Sequence, residues 1–433
     1  MSKHAQATEN DDSVLEDGQP QDLHPSDRAR PIPRISIQAF CDDPRVADAL
    51  QYAAEDRRLS KAHVSVHMGG ITAAISHYVD SPTPNLIIVD SALKSGQLIA
   101  ELDRLAESCD PGTKVIVVGR HNDVHLYREL LKRGVAEYLV APVDPMALME
   151  GISNLYNNPE TDPVGHVFAF VGAKGGVGSS TICHNVAWTM SEILKSDVTI
   201  ADLDLAFGTT GLDFNQDPVQ GIAEALSAPE RLDDQLLDRL LTKCSEHLSI
   251  FAAPVVLDRD YDISPEACDI VIDVARQNVP FVVVDLPHGW SPWSKRILLQ
   301  ADEVVITAVP DLANLRNAKN VVDLLKTARK NDVKPHLILN MANVPKRQEI
   351  SVKEFEQALD LKVLTVIDFD SESFSQAANN GQMVEELSSK AKAIEKFHEI
   401  AQKLTRRKEA KAEKQTSALS AIGPILEKLR LKR

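Results

Sequence analysis

Residues 166–181 read "HVFAFVGAKGGVGSST": an apolar strand, a turn holding four glycines, then residues suited to a helix start. No other stretch constrains the chain as much, because a glycine-rich turn between a buried strand and a helix belongs to an α/β architecture with a parallel sheet. A turn that cradles a nucleoside triphosphate normally reads G-x-x-x-x-G-K-[ST], its lysine reaching the β and γ phosphates. Here Ala173 stands at the first glycine position, Ser179 at the lysine position, and an additional lysine, Lys174, lies inside the turn. Ile182, Val186, Met190 and Ile193 then recur at helical spacing. Backbone N–H groups of Gly175, Gly176, Gly178 and Ser179 can therefore point at an anion where the helix dipole is positive.

A glycine-rich turn alone is weak evidence, and three acids strengthen it. "ADLDLAFG" places Asp202 and Asp204 at the end of a buried strand, alternate residues sharing one side. "FVVVDLPHG" places Asp285 after four apolar residues, the layout of a strand-end acid that holds Mg²⁺ through water. Ser180 occupies the position of the Mg²⁺-binding hydroxyl.

The chain of 433 residues is too long for one ordinary domain, so two folded units with tails are expected. Residues 1–34 are polar, acidic and rich in proline, and read as a disordered leader. Across 35–156, β-branched runs such as "NLIIVD" and "KVIVVG" alternate with amphipathic stretches; five such units suit a doubly wound domain of flavodoxin-like order. "NNPETDPVG" is the break, and 165–404 again read as α/β with a largely parallel sheet, followed by a tail at 405–433. Cys41, Cys109, Cys183, Cys244 and Cys268 are scattered and read as small buried thiols. The N-terminus has no apolar segment behind its charges, and no run of about 18 apolar residues occurs, so a cytoplasmic location is expected. A formal net charge of -16 argues against a protein whose main task is coating DNA.

"KGGVGSST", "DLD" and "VVVDLP", in this order, resemble the MinD/ParA class of deviant Walker-A ATPases. The resemblance implies a P-loop NTPase domain in which Gly175, Gly176, Val177, Gly178, Ser179, Ser180 and Thr181 bind ATP. It further implies that Lys174 reaches across a homodimer interface to the partner's nucleotide, and that Asp204 lies near the attacking water. Ser180, Asp202 and Asp285 would surround Mg²⁺, and Asn340 in "LILNMAN" would read adenine. The departure is Ser179, where that class keeps a second lysine. Losing a charge-assisted phosphate contact costs about 1.5–3 kcal/mol, one to two powers of ten in affinity. A weak ATPase at most is the expectation.

The first domain resembles response-regulator receivers. Asp42 and Asp43 follow its first strand and Asp90 ends "NLIIVD", the phospho-acceptor position. Gly119 stands where a Ser or Thr would sense the phosphoryl group, and Ala141 replaces the lysine before Pro142. The three acids are therefore read as turn and cap formers, and the domain as a docking or dimerising module. A receiver-like domain ahead of such an ATPase, with serine at the second lysine position, resembles the TadZ/CpaE proteins of tight-adherence (Flp) pilus systems. That resemblance implies a cytoplasmic ATP-binding protein that localises a pilus and secretion machine to a cell pole, with pilus assembly components and polar landmark proteins as partners. Two other readings stay open: a ParA-type DNA segregation ATPase, against which Ser179 and the acidic balance count, and a non-catalytic two-component-like scaffold.

From Leu404 to Arg433 there are nine Lys or Arg and three Glu, with Leu419, Ile422, Leu426 and Leu429 on one helical face. Peripheral inner-membrane contact, docking on a partner, and a solvated tail are the alternatives for this segment. Trp290 and Trp293 in "HGWSPWSKR" read as packing against a helix, with a partner-binding anchor as the alternative.

Overall fold

The computed structural model describes residues 32–33, 35–110, 112–156, 165–254, 262–388 and 390–406. The leader, apart from Ile32 and Pro33, and the basic tail, apart from Thr405 and Arg406, lie outside the described residues, as does most of the break after residue 156.

Strands β1 (Ser36–Cys41), β2 (His63–Met68), β3 (Leu86–Asp90), β4 (Lys114–Gly119) and β5 (Glu137–Val140) form a parallel sheet in the order β2-β1-β3-β4-β5. Helices α1 (Pro44–Ala54), α2 (Gly70–His77), α3 (Ser95–Ala106), α4 (Val124–Lys132) and α5 (Pro145–Tyr156) cover it. Every residue of β3 is buried, as a central parallel strand with helices on both faces requires. One face packs Ile37, Ala39, Ile88 and Val118 against Leu50 of α1 and Leu148 and Ile152 of α5. The other packs Phe40, Ile87, Val89 and Val117 against Leu98 of α3 and Leu130 of α4. This is the doubly wound, flavodoxin-like order that the alternation predicts.

The second sheet contains β6 (His166–Gly172), β7 (Val198–Asp202), β8 (Thr242–Lys243), β9 (Leu248–Phe251), β10 (Phe281–Asp285), β11 (Glu303–Ala308), β12 (His336–Ala342) and β13 (Val363–Asp368). Their order is β13-β12-β11-β6-β10-β7-β9-β8, parallel except for the β8–β9 edge pair. Sequence periodicity misses β8 because two residues carry no alternation. Helix α6 (Ser179–Trp188) follows β6 and widens into a single π-type turn at Thr189–Ile193. There Thr189 Oγ1 donates to the Asn185 carbonyl at 2.9 Å and Ser191 Oγ to that of Trp188 at 2.9 Å, so side chains compete with the helical ladder. Met190 is buried as the helical stripe requires, whereas Ile193 is only half-buried.

After β7 come α7 (Thr210–Asp213), α8 (Ile222–Ser227) and α9 (Asp234–Leu240); α10 (Pro265–Asn278) precedes β10, and α11 (Pro292–Gln300) and α12 (Leu312–Ala328) flank β11. Helices α13 (Val352–Leu359), α14 (Ser371–Asn380), α15 (Val384–Leu387) and α16 (Lys392–Thr405) complete the chain. No helix among the described residues is long and apolar enough to cross a membrane.

The two domains meet around the one-turn helix Arg57–Leu59 after α1, with residues on either side of it also bonding across. Arg57 pairs with Asp302 at 3.3 Å and with Asp332 at 2.6 Å, Arg58 pairs with Asp332 at 2.5 Å, and Lys61 pairs with Asp273. Asp302 and Asp332 precede β11 and β12, so the first domain docks at the edge where the strands of the second sheet begin. The glycine-rich turn lies at the opposite edge, where β6 ends.

Candidate functional site

Gly178 adopts φ +82° at the start of α6, and a Cβ there would lie 2.6 Å from Asn340 Nδ2. Both constraints demand glycine. The turn is braced from behind by two amide side chains: Asn317 Nδ2 of α12 donates to the Ala173 carbonyl at 2.9 Å, and Asn340 Nδ2 of β12 donates to the Val177 carbonyl at 2.8 Å. Ala173 N donates to the Thr307 carbonyl at 2.8 Å. Asn340, predicted to read a base, thus spends one N–H on the turn itself. Asn317 was missed, since nothing in "LANLRNAKN" distinguishes it from a solvated helix face.

Lys174, Gly175 and Gly176 are exposed, Val177 is buried, and Gly178, Ser179, Ser180 and Thr181 are half-buried. The Ser179 hydroxyl oxygen is itself buried without a hydrogen-bond partner among the described residues. His288, three residues beyond Asp285, lies against the turn, 3.6 Å from where a Gly175 Cβ would stand.

Asp202 and Asp285 stand directly opposite each other in the β7–β10 register, and both are buried. Their commitments differ. Asp202 accepts from Asp204 N at 3.0 Å, Thr210 N at 3.2 Å and Thr210 Oγ1 at 2.6 Å, holding the segment that follows β7. Burial, together with the neighbouring Asp285 charge, pushes its carboxyl up to about 6. Asp285 keeps its Oδ1 buried and without a hydrogen-bond partner among the described residues. Asp204 is half-buried, and its Oδ1 accepts from Phe207 N at 3.1 Å. Of the acids predicted around Mg²⁺, Asp285 has the oxygen to offer.

Sequence reasoning also missed His184. Its ring is fully buried between these acids, with Nδ1 2.7 Å from Asp213 Oδ2 and Nε2 3.0 Å from Thr210 Oγ1 and 3.6 Å from Asp285 Oδ2. Burial works against charge on the ring, but the Asp213 and Asp285 carboxylates outweigh it and raise the imidazole to about 10. A lone histidine inside "STICHNVAW" gives no sign of this, because its partners come from other elements.

No group of three or more His, Cys, Asp or Glu among the described residues is arranged to hold a metal by itself. The set present, one buried carboxylate oxygen beside a glycine cradle and serine hydroxyls, suits a hard cation that keeps its waters and shares phosphate oxygens. It fits Mg²⁺ accompanying a nucleotide.

Around the turn, large apolar side chains at the carboxyl ends of the strands are exposed: Phe207 by 76%, Leu212 by 72%, Trp290 by 60%, Leu312 by 72% and Phe369 by 45%. Trp293, by contrast, packs on the core as predicted.

In the first domain Asp43 caps α1, accepting from Arg45 N at 2.9 Å. Asp90 is fully buried: its Oδ2 accepts from Asp42 N at 3.0 Å and Asp43 N at 2.7 Å, and its Oδ1 pairs with Arg120 Nη1 at 2.8 Å. Oδ2 is hydrogen-bonded while Oδ1 has, among the described residues, only the ion pair, and the counter-charge comes from Arg120, which follows β4. A Cβ at Gly119 would sit 2.1 Å from the Tyr138 hydroxyl, which donates to the His121 carbonyl at 2.8 Å. Tyr138 thus fills the space where a phosphoryl-sensing hydroxyl would stand. Arg120→Ala is expected to cost about 3 kcal/mol, the low end for breaking a buried pair, because water can reach the half-buried arginine's place. Urea denaturation of the variant measures this directly.

No protein-family model matches the chain. The pilus assembly protein CpaE of Caulobacter crescentus CB15 is 46% identical, the match covering 30% of this chain and 98% of that one, with a TM-score of 0.29. A ParA family ATPase from Chlorobium tepidum TLS is 27% identical over 55% of this chain and 98% of its own, with a TM-score of 0.51. The septum site-determining protein MinD of Helicobacter pylori is 27% identical over 232 residues, 50% of this chain and 83% of that protein. On the identity across nearly the whole of the Caulobacter chain, and with a second sheet of MinD/ParA-like fold, the chain belongs to the CpaE family of pilus assembly proteins.

Proposed function

We propose that this protein is a nucleotide-dependent positioning factor for a pilus assembly machine, binding Mg-ATP at the glycine-rich turn and acting as a homodimer through the face around it. The observation that carries the reading is the cluster of unpartnered polar atoms at the turn. Asp285 Oδ1, Ser179 Oγ and Thr307 Oγ1 are all buried without a hydrogen-bond partner among the described residues, beside exposed glycine amides. Buried polar groups cost about 1–3 kcal/mol each when left unpaired, so such a cluster is retained where a polar ligand completes it.

Lys174, Gly175, Gly176, Gly178, Ser179, Ser180 and Thr181 would hold the phosphates, chiefly through backbone amides, with Lys174 supplied across the interface. Asp285 and Ser180 would hold the cation, which supplies neutralisation of phosphate charge when bound, and Asp202 and Asp204 would shape the segment beside it. The second N–H and the carbonyl of Asn340 remain for a base. The exposed apolar ring supports the homodimer, and docking of the receiver-like domain at the far edge leaves that ring open to a second copy. In this reading the protein works in the cytoplasm at a cell pole, as a scaffold for Flp-type pilus components, with slow hydrolysis.

Titration with a fluorescent ATP analogue, with and without Mg²⁺, alongside sedimentation, tests the reading: saturable Mg²⁺-dependent binding with a monomer-to-dimer shift is expected, and neither would occur at a relic site. Ser179→Lys is expected to tighten the nucleotide about 10- to 100-fold by adding a charge-assisted phosphate contact. The same titration reads the change.

A further inference from the structure

His184 is not explained by the phosphate turn, yet it occupies the centre of the site's buried polar network. It lies on α6, five positions after Ser179, with no exposed surface. Its ring joins four elements: its own helix, β7 through Thr210 and Asp202, β10 through Asp285, and α7 through Asp213.

Hydrogen-bond bookkeeping fixes the roles of the atoms. Thr210 Oγ1 has one proton and lies 2.6 Å from Asp202 Oδ2, an oxygen that can only accept when ionised. The hydroxyl therefore donates to Asp202 and accepts from His184 Nε2–H at 3.0 Å. Asp213 Oδ2 accepts from Thr209 Oγ1 at 3.1 Å and from His184 Nδ1–H at 2.7 Å. Both ring nitrogens are thus committed, Nδ1 to Asp213 and Nε2 to Thr210. The Phe214 ring lies 5.9 Å from it, closing the network on the α7 side.

Asp285 Oδ2 lies 3.6 Å from Nε2 of this ring, while Oδ1 has no hydrogen-bond partner among the described residues. A carboxylate with one oxygen packed 3.6 Å from a ring that is itself fixed on both nitrogens has its other oxygen held in direction as well. Asp202 is tied to the same ring through a single hydroxyl.

We infer that His184 is a positioning residue for the divalent cation that accompanies the nucleotide, its buried ring packing against Asp285 and bonded to Asp202 through Thr210. The inference rests on the Mg-nucleotide reading above. His184 touches neither phosphate nor cation; it orients Asp285, which would hold the cation, and through Thr210 it fixes Asp202, which shapes the segment beside it. It also ties the 204–213 segment, whose Phe207 and Leu212 are exposed, to the helix that begins at the phosphate turn.

The test is the Mg²⁺ requirement for binding 2′/3′-N-methylanthraniloyl-ATP by the full chain, measured as the Mg²⁺ concentration for half-maximal tightening, together with affinity in EDTA. His184→Ala is expected to raise that concentration about tenfold or more, the loss typical when the outer partner of a metal carboxylate is removed. Affinity in EDTA, set by the backbone amides, stays at the wild-type value. A merely structural histidine would instead lower both together, along with the melting temperature, and that result overturns the proposal. Thr210→Val deletes only the hydroxyl bridge, and decides the matter if His184→Ala does not fold: a raised Mg²⁺ requirement at unchanged EDTA affinity supports the proposal, and wild-type Mg²⁺ behaviour overturns it. A wild-type protein that binds the analogue without any effect of Mg²⁺, or not at all, removes the underlying reading and the proposal with it.

Discussion

Lys174→Ala is expected to abolish the monomer-to-dimer shift that the proposed function expects Mg-ATP to produce in the wild-type protein, as read by sedimentation at matched concentrations. Lys174 is exposed on a turn whose neighbours include five exposed large apolar side chains. An ammonium group on this surface has little to gain within its own chain, but across the proposed two-fold interface it would meet the partner's phosphates. Each such charge-assisted contact contributes about 1.5–3 kcal/mol. Symmetry doubles it, so the variant's dimer should weaken by about two to four powers of ten. Nucleotide binding to the monomer, carried by the backbone amides and Asp285, should fall far less. If ATP changes the sedimentation of neither protein, the turn does not operate a cross-interface switch, and positioning must come from the receiver-like domain and the tail.

Asp332→Ala is expected to have the largest effect on stability, because it leaves three guanidinium groups without their shared counter-ion at the junction between the domains. Asp332 accepts from Arg57 Nε at 2.6 Å, Arg58 Nη2 at 2.5 Å and Arg329 Nε at 2.7 Å, and the side chains of Arg58 and Arg329 are almost wholly buried. Breaking a buried pair costs about 3–5 kcal/mol. Calorimetry should show a single wild-type transition replaced by two, as each sheet unfolds by itself. Acid should do the same reversibly. Burial works against ionisation of Asp332, but Arg57, Arg329 and Arg58 outweigh it and hold its carboxyl below the usual range; Arg276 and Arg57 do the same for Asp302. Folded-state values below the unfolded ones mean that this stabilisation is fully present above the ordinary carboxylate range of about 4 and is lost as pH falls through the depressed values. Denaturant midpoints measured from pH 6 downward should therefore drop in the wild type and change less in Asp332→Ala.

The same residues show how far the chain could be read before folding. "NLIIVD", "FVVVDLP" and the glycine turn announce their elements because strand burial and helix periodicity repeat over a few residues, and all five strands of the first sheet follow from that pattern. The strand-end positions of Asp202 and Asp285 were legible for the same reason. Asp202's commitment to Thr210 was not, since the segment after β7 has no periodicity. Trp290 and Trp293 look alike in sequence, yet one is exposed and the other packed.

By itself, then, the sequence determined the α/β class, the position of the phosphate turn and the acids at strand ends, because each depends on residues a few positions apart. Only the tertiary structure decided that Arg120 balances Asp90, that His184 joins Asp213 to Asp285, and that Arg57 reaches Asp332 across 275 residues. Those pairings depend on which strand lies beside which and on a buried charge finding its counter-ion wherever the fold brings one, and neither condition is written in local spacing.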